Sequence, residues 1–208
     1  VYAGRLPNLL LNYLTTWQSN GAWAVPVVVY GNRSYGNALV ELYDILRYRG
    51  FHPIAAAAFV GQHSFTTRLA TGRPDREDLE KAEQFSAEIV RRILQPGEFT
   101  GIKIPGQGAP DYGGYYKPKG RDEEVVNFLK AKPVTTDACI DCRRCAKVCP
   151  MGAIRLDHPS EVSGICIKCN ACVKQCPVHA KQLTDEAYLS HVGFLENRYT
   201  SRARIELF

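Results

Sequence analysis

For its first 138 residues the chain contains no cysteine, and all eight of its cysteines fall between Cys139 and Cys176. A secreted scaffold that relies on disulfides instead of a core distributes its thiols along a short chain, so this crowding argues against a disulfide framework. Long apolar runs are also missing. The two longest, "AWAVPVVVY" at 22–30 and "IAAAAFV" at 54–60, fall well short of the roughly 20 residues of a membrane helix, so no membrane span is expected. The opening residues lack the basic flank, apolar core and cleavage site of a secretory signal, from which we expect a cytoplasmic location. They also lack an initiator Met, and Val1 is expected not to be the natural start. A net charge of +5 without a dense basic tract excludes a nucleic-acid binder and suits an acidic redox partner protein.

With 45% hydrophobic and 23% charged residues, the composition is that of a folded globular chain. At 208 residues it has room for two small domains.

The cysteines occur in two runs, "CIDCRRCAKVCP" from Cys139 and "CIKCNACVKQCP" from Cys166. Zinc uses pairs of thiolates from separate turns that converge tetrahedrally. Here a third cysteine follows at the same interval, a fourth comes after three residues, and Pro is next. C-x2-C-x2-C-x3-C-P is the bacterial ferredoxin run, in which the fourth thiolate ligates the other cluster of a pair. Cys139, Cys142, Cys145 and Cys176 are therefore expected to hold one 4Fe-4S cluster, and Cys166, Cys169, Cys172 and Cys149 a second. At an offset of 27 the two stretches share Cys, Ile, Cys, Cys, Lys, Cys, Pro and Ala, which implies two similar loops related by approximate twofold symmetry. Ile140, Ile154, Ile165, Ile167, Val148 and Val173 are expected to shield the clusters. Pro150 and Pro177 would turn the chain away from them.

Residues 1–95 read as alternating helix and strand, which argues for α/β architecture with a parallel sheet. A first helix is expected to present Leu10, Tyr13, Leu14 and Trp17. A second runs through Leu39, Leu42, Tyr43 and Leu46 to Gly50, and a third faces inward through Leu79, Ala82, Ile89 and Ile93. "VPVVVY" and "HPIAAAAFV" read as buried strands, the alanines leaving room for a close helix. In such sheets ligands bind beyond the carboxyl ends of the strands, here the loops 2–6, 31–37 and 61–68. His63 lies in the last of these and reads as an ordinary loop histidine. Residues 96–132 form a Gly/Pro-rich connector whose "DEEVVNFLK" (122–130) is expected to be a short helix. "GQGAPDYGG" within it follows no strand and is not a dinucleotide fingerprint. The cluster domain spans 133–184, and 185–208 is expected to be a C-terminal helical tail.

"VYAGRLP", "VVVYGNRSYGNALVEL", "AAAAFVGQHSF" and "TGRPDREDLEKAEQF", followed by the doubled cysteine run, resemble the flavodoxin-ferredoxin fusion proteins of anaerobic bacteria. The resemblance implies a partial flavodoxin-like doubly wound sheet followed by a small α+β ferredoxin-like domain with two 4Fe-4S clusters. It also implies that Tyr2, Ala3, Gly4 and Arg5, with Tyr30, Gly31, Asn32 and Tyr35, border the isoalloxazine of FMN. The match enters at the end of the family's third strand, without its phosphate loop. FMN is thus expected only where that loop is supplied, and another chain could complete the sheet. The expected function is single-electron relay, to or from FMN in an intact fusion. The alternative is a flavin-dependent oxidoreductase acting on a small substrate, for which Tyr2, Tyr35 and His63 would be the proton donors.

Overall fold

A computed structural model describes residues 1–95, 101–109 and 111–208. The part of the expected connector at 96–100 and Pro110 lies outside them. The chain is mixed α/β and divides into two units. One comprises Val1–His63, Arg68–Tyr116 and Ser201–Phe208, the other Ser64–Thr67 and Lys117–Thr200. Among the described residues no helix is long and apolar enough to cross a membrane.

The first unit is built around β2 (Val27–Tyr30) and β4 (Ala57–Val60), paired parallel and in register from Val27↔Ala57 to Tyr30↔Val60. Between them lie α2 (Ala38–Tyr48) and the short β3 (His52–Pro53), which pairs parallel with β1 (Trp23–Ala24). The alanine run of β4 is buried on both faces, as a near-continuous apolar strand requires. Ala56, Ala58 and Val60 join Leu39, Val40 and Tyr43 of α2 in one core. Ala55 and Ala57 face Phe85 of α3 (Arg76–Leu94) in another. Helix α2 ends in a Schellman arrangement: Phe51 N–H reaches Leu46 O at 3.0 Å and Gly50 N–H reaches Arg47 O at 3.0 Å. Gly50 has φ 82° there, and a Cβ would lie 2.1 Å from Ser19 O.

Several expectations for this unit are corrected. Helix α1 covers only Asn8–Leu14, because the hydroxyls of Thr15 and Thr16 donate back to Asn12 O and Tyr13 O and offer the backbone an alternative to the helix. Leu14 is its buried residue, while Leu10 and Tyr13 are exposed. In α3 the inward stripe is Asp78, Ala82, Phe85 and Ile89; Leu79 and Ile93 lie outside it and are exposed. A capping box between Asp75 and Asp78 starts the helix, and Asp78 pairs in the interior with Arg73. The tail is helical only over α6 (Glu186–Arg198). Residues Glu206–Leu207 form β7, antiparallel to β4 with Ala57↔Leu207 and Ala58↔Glu206, so the three-stranded sheet is mixed.

In the second unit no helix forms over 122–130. Asp122 and Asn127 accept from the backbone N–H of Glu124 and Leu129, and Glu123 sits at φ 66°, so short polar side chains take over the bonds a helix would have made. Phe128, Ala131, Leu183 and Tyr188 form a small core with Phe65. Two four-residue helices, α4 (Arg144–Lys147) and α5 (Ala171–Lys174), carry the cysteine loops. The antiparallel pair β5 (Val134–Thr135) and β6 (Lys181–Gln182) closes the region between its ends.

Candidate metal centre

The two cysteine loops have the same backbone, position for position. Asp141 and Lys168 adopt φ of 51° and 55°, Arg143 and Asn170 of 60° and 57°, and Gly152 and His179 of 57° and 53°. Each pair is separated by the 27-residue offset of the sequence repeat. Left-handed residues other than glycine are uncommon. Alternated with right-handed ones they curl successive N–H groups toward one side and form a concavity suited to anions, iron-sulfur clusters included. The repeat continues beyond the helices. Cys149 N–H donates to Ala146 O and Cys176 N–H to Val173 O, both at 3.4 Å. Ala153 N–H then points at Cys149 Sγ at 3.3 Å, and Ala180 N–H at Cys176 Sγ at 3.2 Å.

Two cavities lie in this fold. The first is lined by Cys139, Cys142, Cys145 and Cys176, the second by Cys149, Cys166, Cys169 and Cys172. Each thus gathers three thiols of one run with the last thiol of the other. The space at each, part of it open solvent, is about 320 and 360 Å3 respectively. Neither wall contains a carboxylate or an imidazole. Among the described residues no three His, Cys, Asp or Glu side chains converge closely enough to hold a single ion. Four thiols spread around an opening fit a bulkier group, and the donor set is purely the soft sulfur that iron-sulfur clusters use. Pro150 lines the second cavity and Pro177 the first. Of the six expected shielding residues, Ile154 and Ile167 line the second cavity. Ile140 and Ile165 line the rims but are exposed, and Val148 and Val173 line neither.

The thiols are electrostatically unequal. Burial pushes Cys172 up to about 11, helped by the neighbouring Cys169, Cys166 and Cys149 and opposed by Lys181. Burial also raises Cys145, again against Lys181. Burial would raise Cys176 too, but the backbone N–H groups around it, from Lys181 to Val178, hold it below its ordinary value.

The comparisons agree with this geometry. Residues 138–180 match the family described as 4Fe-4S dicluster domain. No curated protein and no solved structure matches the chain. The dicluster domain supports an iron-sulfur electron-transfer role.

The residues expected at a flavin form neighbouring loops in the first unit. Asn37 N–H donates to Gly4 O at 2.9 Å, and a Cβ on Gly36 would lie 2.5 Å from that oxygen, so only glycine permits the approach. Tyr2 and Arg5 close a tight turn over Ala3 and Gly4, at φ 47° and 78°. The polar groups of these loops are engaged within the unit. Arg5 makes a bidentate pair with Glu41 at 2.9 and 2.7 Å and packs on Tyr112 and Tyr115. Tyr30 donates to Arg204 O, Asn32 bonds Ser201 O and Ala203 N–H, and Tyr35 donates to Glu206. Gly31 lies against His63, whose backbone N–H donates to Leu69 O. The residues that occupy these loops, 112–116 and 201–206, were missed by sequence reasoning. They carry no motif, and only the chain's return to this unit brings them there.

Proposed function

We propose that the chain is an electron-transfer protein in which Cys139, Cys142, Cys145 and Cys176 hold one 4Fe-4S cluster and Cys149, Cys166, Cys169 and Cys172 another. The observation that carries this reading is the crossed grouping of thiols around the two cavities. Such clusters, when bound, supply one-electron oxidation and reduction. The protein's part is to bind and tune them. Its thiolates ligate, its N–H groups reach the ligand sulfurs of Cys149 and Cys176, and its walls decide how much water reaches each cluster, which are the factors that set a cluster's potential. The partners are redox proteins. The test is stoichiometric reduction of the anaerobically purified protein by a one-electron donor: two electrons per chain are expected, and uptake of none would contradict the reading.

In an intact fusion FMN is the exchange partner, bound beside Tyr2–Arg5 and Tyr30–Tyr35. Support comes from the adjacency of those loops at Gly4 and Gly36 and from the parallel β2–α2–β4 unit. Binding requires a phosphate loop in addition to the residues here, and flavin content per chain tests it. Of the proton donors expected for the oxidoreductase alternative, Tyr35 gives it no support. Burial, and then its bond to Glu206, raise Tyr35 well above the ordinary phenol range, which makes it a reluctant acid.

A further inference from the structure

At the last position of the sixteen-residue repeat the first copy carries Ile154 and the second Lys181. Ile154 is buried in the wall of the second cavity. Lys181, only 2% exposed, is buried in the wall of the first. A lysine is almost never buried so fully unless paired. Its Nζ donates to two neutral acceptors, Thr135 Oγ1 and Ser160 O, and among the described residues it forms no ion pair with Asp or Glu. Lys168 is buried as well and also donates to neutral oxygens, the carbonyls of Leu129 and Cys166, but it lines neither cavity. Lys181 is therefore a buried cation without a carboxylate partner in the wall of the first cavity, where Arg143 and Arg144 are exposed.

We propose that Lys181 sets the two clusters apart in reduction potential, making the one at Cys139, Cys142, Cys145 and Cys176 the easier to reduce. The inference rests on the ligand assignment proposed above. Reduction adds one electron from a one-electron donor and makes the site more negative by one charge, while the ammonium keeps its proton. A fixed cation in a poorly hydrated wall stabilises the reduced form more than the oxidised form. At the equivalent place in the other cavity the side chain is a hydrocarbon. Lys181 is thus a positioning residue for charge, not a ligand.

The test is an anaerobic redox titration of the cluster-loaded protein, followed by electron paramagnetic resonance. K181M is expected to lower the first cluster's reduction equilibrium by about tenfold, which is about 59 mV for a one-electron couple, and to move the second less. K181R, which keeps the charge, should stay near the wild-type value. Unmoved potentials in a K181M protein that retains its iron, or an equal shift in K181R, would overturn the proposal. If K181M fails to hold its clusters, C149S and C176S decide the matter, since each leaves one cluster to titrate. C149S is expected to show the higher potential, and the reverse order overturns the proposal. A wild-type chain without iron defeats the ligand assignment and this inference with it. Two clusters with the wrong order defeat this inference alone.

Discussion

Loop 139–144 and loop 166–171 share a backbone but not a setting. Every residue of the first is exposed, Cys139 and Cys142 included; none of the second is, and Cys166 and Cys169 are half-buried. The difference comes from what the second loop is bonded to. Asn170 Nδ2 donates to Ser64 O and to Tyr188 Oη, and Lys168 donates to Leu129 O, so α6 and the 64–67 and 128–129 segments close over it. At the equivalent positions Arg143 and Asp141 form only a solvent-exposed ion pair at 3.4 Å. The repeat supplies the shape of the cage, and its surroundings supply the environment.

The largest expected effect breaks the loops' apparent independence. Cys176→Ser, in the second run, should remove the first cluster and about four of about eight iron atoms, while Cys149→Ser should remove the second. Iron analysis combined with spectra of the surviving cluster checks this, and loss from the same run as the mutation would refute crossed ligation. A smaller effect should separate the two settings. Asn170→Ala removes bonds to buried partners and leaves a left-handed backbone without asparagine, so it should cost about 1–3 kcal/mol in denaturant unfolding of the loaded protein. Arg143→Ala, its counterpart, should stay within about 0.5 kcal/mol. The subtlest contrast is chemical. In the metal-free chain Cys176, held low by backbone N–H groups, should be alkylated at lower pH than Cys172, which burial pushes up to about 11. The thiolate is the reactive form, so raising the pH through that range should release Cys172 last. Mass spectrometry of alkylated peptides reads the order.

The cysteine loops were legible because cluster ligation fixes residue type and spacing together, and a 27-residue repeat doubles the signal. Helix α2 was legible too, closed as expected at Gly50, and so was the end of "HPIAAAAFV", although the structure divides that stretch into β3 and β4 of two different sheets. Other features depended on information outside their own segment. The 122–130 stretch has helical periodicity, but Asp122 and Asn127 divert its N–H groups. Leu79 and Ile93 looked like core because nothing in α3 reveals that Ala55, Ala57, Phe59 and Val25 pack against Phe85 and Ile89 and leave the rest of the helix uncovered. The pairing of β7 with β4 joins residues about 150 apart in sequence, and two strand residues are too few for a periodic signal. In the expected flavin loops, Glu41 and Glu206 satisfy arginine and tyrosine groups that the sequence offered as ligand contacts.

The most direct measurement is iron and acid-labile sulfide per chain after anaerobic purification. About eight of each are expected, in brown protein that bleaches on reduction. A colourless chain free of iron, or one carrying zinc on these thiols, would contradict the account.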